Sequence, residues 1–158
     1  MNEQAGSFKV PPLEKRIRVR CTPRRAFEAF TAEFGRWWPL ATHSVAQDKA
    51  KACAIEPWLG GRVFETDALG NEHPWGRITR WQPPFGFAMT WHPGRGPETA
   101  QRVSLHFAAQ GEGTLVTLIH DGWEALAERA MSIRANYDQG WEKVLGGDYR
   151  GYAEREVG

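Results

Sequence analysis

The chain has 158 residues, a length that suits one domain and lets it bury a full core without disulfide or metal staples. Lys and Arg number 20 against 19 Asp and Glu, so the formal charge of +1 supplies no long-range field for nucleic acid or an anionic membrane, and neither partner is expected. Two cysteines outside any CxxC pair exclude a thiolate metal site or a disulfide framework. With no signal-like or membrane-length apolar segment, a cytoplasmic protein is expected.

Residues 1–12 show no periodicity and end in Pro11-Pro12, which predicts a disordered tail before a single domain over 13–158. Residues 13–21 alternate, with Ile17, Val19 and Cys21 on one side and Arg16, Arg18 and Arg20 on the other, as in a half-solvated antiparallel strand. Thr22-Pro23 then reads as an N-cap followed by proline at the first helical position. Phe27, Phe30 and Phe34 form the stripe of that helix, and Gly35 is read as its left-handed stop. Trp37-Trp38-Pro39 predicts a second short helical turn, serving as a lid or buttress because it lacks the basic residues of a DNA reader.

From Ala50 the period changes to two, and strands are predicted near 51–56, 61–66, 73–82, 86–92, 100–109 and 114–121. Turn residues such as Gly60-Gly61, Gly70-Asn71 and Pro83-Pro84 separate them, making a meander of hairpins. The last element, a helix over 131–154, carries Ile133, Tyr137, Trp141, Val144, Leu145 and Tyr152 on one stripe. Such a stripe needs a concave apolar partner, and only the meander is long enough to supply one. The expected class is therefore α+β, with seven curved antiparallel strands wrapped on the terminal helix and two short helices after the first strand.

That order of elements resembles the helix-grip fold of the START-like (SRPBCC) superfamily. Within it, Pro57-Trp58-Leu59-Gly60-Gly61 leading into Arg62-Val63-Phe64-Glu65 is similar to a signature of the family named after the activator of the heat-shock-protein-90 ATPase. Gly76-Arg77-Ile78 before Trp81-Gln82-Pro83-Pro84 agrees, as do residues 114–120 before Asp121-Gly122-Trp123, and Gly140-Trp141 with Leu145. The resemblance covers about residues 14–153 and implies a stand-alone bacterial-type domain, without the separate amino-terminal domain that contacts the chaperone in true cochaperones. Relatives of this fold include lipid carriers, hormone receptors, polyketide cyclases and cochaperone modules, so the resemblance implies fold more firmly than activity.

Alternation assigns a concave face: Val63 and Glu65; Gly76, Ile78 and Arg80; Phe87, Met89 and Trp91; Val103, Leu105 and Phe107; Val116, Leu118 and His120. Tyr137, Trp141 and Leu145 of the terminal helix cover it, while Trp37 and Trp58 are expected at the rim of a ligand site. Any one of these apolar side chains is better explained as core filling than as pocket lining; inward Glu65, Arg80 and His120 shift the balance to a wet cavity, because buried charges need partners. A one-residue slip in register would turn all three outward.

The five histidines lack zinc-helix spacing, so no metal is expected, and no motif calls for a cofactor. His120 either orients a bound carbonyl or caps the Asp121-Gly122 turn. The leading functional expectation is binding of a hydrophobic or amphipathic small molecule, with a movable entrance near Trp37-Trp38 and the loop after His92. A cyclase-like or aromatase-like enzyme using Glu65 with Arg80 or His120 as acid and base is the first alternative. A protein-interaction module working through an exposed Trp75 and Trp81 patch is the second. Both a monomer and a homodimer fit the sequence, and no protein partner is indicated.

Overall fold

The computed structural model describes residues 9–155. Its strands are β1 (Leu13–Val19), β2 (Ala50–Ile55), β3 (Arg62–Asp67), β4 (Glu72–Gln82), β5 (Gly86–Trp91), β6 (Gln101–Gln110) and β7 (Gly113–Asp121). They form one antiparallel sheet in the order β1-β7-β6-β5-β4-β3-β2. Strands β2 to β7 are a meander, and the first strand closes against the last, pairing Ile17 with Val116. The curled sheet grips a long C-terminal helix, the helix-grip arrangement expected.

Helix α1 (Pro23–Phe30) begins where the sequence places it. Thr22 is extended (φ −70°, ψ 158°) and its hydroxyl accepts from the Arg25 N–H at 3.1 Å. The helix ends at Phe30, four residues before the phenylalanine stripe does, and Phe34 opens a separate 3₁₀ turn, Phe34–Arg36. Gly35 is therefore not a left-handed stop. A side chain there would collide with the Cys53 carbonyl of β2, so the glycine serves a close backbone approach. Phe27 and Phe30 seat α1 on the sheet, their rings 5.9 and 5.8 Å from Phe87.

The terminal helix is composite. Helix α2 (Ala130–Lys143) passes through a π segment, Val144–Tyr149, into α3 (Arg150–Arg155). Trp141, Leu145, Tyr149 and Tyr152, at four-, four- and three-residue steps, all bury against the sheet and α1. Tyr149 donates to the Ala26 carbonyl at 2.7 Å, locking the two helical layers together.

Strand β4 departs from the strict alternation read from sequence. Its pairing with β3 shifts between Val63 and Phe64, and its pairing with β5 shifts between Ile78 and Arg80. Each bulge inserts one residue and reverses the faces beyond it. Trp75, Ile78 and Trp81 consequently point inward at three-residue spacing. Arg80 moves to the outer face opposite Ala88, correcting its expected inward placement. The outward Trp75 and Trp81 patch does not exist: Trp75 is 1% exposed, and Trp81 packs 5.1 Å from Phe27.

Of the expected tail, residues 1–8 lie outside the described residues. Residues 9–12 are docked instead: Val10 is buried and its N–H donates to Glu124 at 2.8 Å, while Arg134 donates to the carbonyls of Pro11 and Pro12.

Candidate functional site: an indole-walled pocket under α2

Most of the predicted concave face is solid core. Val63, Met89, Leu105 and Leu118 are fully buried, as are Ile78, Phe107 and Leu145 to within 2%. Space remains at one end, where the loop after Trp38, the loop after His92 and α2 enclose a pocket of about 520 Å³. That volume falls in the range of small-molecule sites. Among the expected site residues, Trp91, Tyr137 and Trp141 line it. Trp37 is buried beside it with its indole donating to Ala29, and Trp58 stands 56% exposed on the β2–β3 turn, away from the pocket.

Four tryptophans form the walls: Trp38, Trp75, Trp91 and Trp141, with ring centroids 5.5 to 6.0 Å apart. Every one of their N–H groups is already spent. Trp38 donates to the His43 carbonyl, Trp75 to Glu65, Trp91 to the Tyr137 hydroxyl and Trp141 to His120, at 2.7 to 3.0 Å. Indoles whose only polar atom is satisfied elsewhere present hydrocarbon to the void.

Glu65 and His120 are buried as the alternation predicts, but they stand behind the wall and do not line the pocket. The Glu65 carboxylate accepts from the N–H groups of Val45 and Ala46 and from Trp75, at 2.7, 2.8 and 2.9 Å. Three charge-assisted bonds to one carboxylate hold the 45–46 loop against the sheet. They also hold the left-handed Gln47 (φ 55°) that follows it. With three of its lone-pair positions taken by these donors, Glu65 positions the pocket from behind the wall.

His120 is a relay in the same scaffold. Its Nδ1 accepts from Trp141 at 3.0 Å, which fixes the neutral tautomer and makes Nε2–H the donor to Gln101 Oε1 at 3.2 Å. The ring stacks 3.9 Å from Trp123, and burial pushes its pKa down to about 3. The imidazole is thus a permanently neutral strut, neither a turn cap nor a carbonyl ligand.

The pocket's polar groups are ones that alternation does not reveal: Thr42, His43, Ser44 and Asn136, together with the Tyr137 hydroxyl. Three of them lie on an irregular loop, where no periodicity signals which way a side chain faces. His43 is held below its ordinary pKa by burial and by nearby Lys143, with Asp148 opposing the lysine. Burial raises the Tyr137 phenol. Among the described residues no cluster of side chains suits a metal ion, and no helix is long and apolar enough to cross a membrane.

The fold recurs in solved structures. An anthrahydroquino-γ-pyrone synthase, Txn09, is 29% identical over 94% of this chain and 98% of its own, with a TM-score of 0.60. CalC of Micromonospora echinospora, a self-sacrificing resistance protein, is 23% identical over 92% of this chain and 96% of its own, with a TM-score of 0.67. The Aha1 dimer of Colwellia psychrerythraea is 14% identical over 94% of this chain and 100% of its own, with a TM-score of 0.66. No curated protein matches the sequence. The model of the family described as "Activator of Hsp90 ATPase homolog 1-like protein" matches residues 20–147, and the chain belongs to that family.

Proposed function

We propose that the protein binds a flat, largely apolar aromatic molecule in the indole-walled pocket. The observation that carries this reading is that every wall indole N–H is already paired, two with Glu65 and His120 behind the wall and two with the His43 carbonyl and the Tyr137 hydroxyl. The four indoles therefore turn hydrocarbon ring surface to the void, a lining that rewards stacking and hydrophobic burial. The 29% identical relative, named as the synthase of a fused-ring anthrahydroquinone pyrone, supports an aromatic ligand of this shape. Binding fits the site better than acid–base catalysis by Glu65, whose oxygens are committed to three donors.

Gly140 gives the cleanest test. It lines the pocket on α2, and a side chain built there meets nothing within 4 Å. Gly140→Leu should fill the void while leaving every hydrogen bond of the wall in place. Titration with naphthamide, followed by tryptophan fluorescence, should be saturable in the native protein and weakened about tenfold or more in the variant, a loss near 1.4 kcal/mol. Trp91→Ala should weaken it similarly, and Trp81→Ala hardly at all. Equal binding to all four proteins would place the ligand elsewhere.

A further inference from the structure

The aromatic lining fits two opposite kinds of ligand, an electron-poor ring system or a cation caged by indole faces. The groups at the pocket mouth separate them. Tyr137 accepts a hydrogen bond from Trp91 at 3.0 Å, and its own O–H donates to no other described residue. A phenol that accepts one bond is polarised toward donating the next. Its proton is an unspent donor on the α2 side of the pocket, beside the Asn136 amide.

The charges nearby are unequal. The lining itself contains no carboxylate, and its one titratable base, the His43 imidazole, is held below its ordinary pKa chiefly by burial. Lys143 is matched by Asp148 at 2.8 Å, and Glu65 is consumed by its three donors. Arg95 is different. It sits next to Pro93 and Gly94, which line the pocket, on the turn whose backbone is pinned to His92 by the Arg95 N–H and by the Arg95 carbonyl. Its backbone directly follows that lining, its side chain is exposed, and it has no ion-pair partner among the described residues. Glu98 of the same turn folds back over Gly96 instead.

We infer that the ligand carries an ionised oxygen, a phenolate or carboxylate on its aromatic frame, seated between the Tyr137 hydroxyl and Arg95. This rests on the pocket reading above and adds the polar half of the ligand to it. A rim cation draws the anion in, and the phenol O–H fixes its orientation. A cationic ligand would meet the Arg95 charge with no carboxylate in the lining to offset it.

Three probes of one size decide the matter at pH 7: naphthoate, naphthamide and naphthyltrimethylammonium. Naphthoate should bind about tenfold tighter than the amide, with its affinity falling as salt rises, and the ammonium should bind weakest. Tyr137→Phe should cost naphthoate about tenfold. Because that change also leaves the Trp91 N–H without an acceptor, Arg95→Gln serves as the independent variant: Arg95 is exposed, so folding is untouched. It should weaken naphthoate several-fold and leave naphthamide unchanged. Equal binding of naphthoate and naphthamide, no effect of Arg95→Gln on naphthoate, or a preference for the ammonium would overturn the anion assignment and leave the pocket intact. Saturable binding of none of the three would remove the pocket reading, and this inference with it.

Discussion

At the scale of single residues, the indole walls are held in place by two side chains that do not line the pocket, Glu65 and His120. His120 illustrates how its chemistry can be read out. Burial holds the folded-state pKa near 3 against an ordinary 6.5. Between those values the unfolded chain carries a proton that the folded one refuses. Stability contributed by the neutral imidazole is complete above about pH 6.5 and is lost as pH falls toward 3, by about 1.4 kcal/mol per pH unit. His43 and His106 are also held low by burial and add to the native slope. The contribution of His120 is therefore the difference between the native protein and His120→Gln, whose amide oxygen can still accept from Trp141. Urea unfolding from pH 6 to pH 4 should give a shallower slope for the variant; identical slopes would mean that His120 titrates normally.

At the scale of elements, irregularities place the side chains. Two bulges in β4 convert an alternating strand into one that sends Trp75, Ile78 and Trp81 inward, and only that phase brings Trp75 to Glu65. Gly76 marks the first bulge, where any side chain would collide with the Thr90 carbonyl. The terminal helix carries its buried stripe of Trp141, Leu145, Tyr149 and Tyr152 through the π segment. Its neighbour Gly151 has no such duty: it is exposed, helical, and a side chain there would meet nothing within 4 Å. Gly151→Ala should therefore stabilise the protein by about 0.5–1 kcal/mol, chiefly by restricting the unfolded chain. A lower Tm in calorimetry would show that this position carries a constraint after all.

At the scale of the molecule, the sheet and the helical layers form one solid core, with the pocket at the end where two loops and α2 meet. A ligand held there contacts the 42–45 loop, β4, β5 and α2 together, so binding should couple to global unfolding. With ligand at a hundred times its dissociation constant, stabilisation reaches about 2.7 kcal/mol. For a domain of this size that corresponds to a rise in Tm of roughly 5–10 °C. Differential scanning fluorimetry with naphthoate should show the rise in the native protein and about half of it or less in Gly140→Leu. A rise of equal size in both would locate the stabilising site outside the pocket.

The architecture was legible because it follows from periodicity. Alternating β-residues from Ala50 onward, the cap at Thr22 and the apolar stripe through Trp141 each favour one local structure, and together they allow only a curled sheet closed by a helix. Inward Glu65 and His120 came from the same alternation. Tertiary structure alone decided the rest. A bulge costs one residue of register and leaves no compositional mark, so Arg80 and Trp81 exchange faces without warning. Loop residues such as His43 have no period to betray their direction. Whether a group of indoles fills a core or walls a void depends on how closely the layers approach, which is fixed by packing across the whole fold.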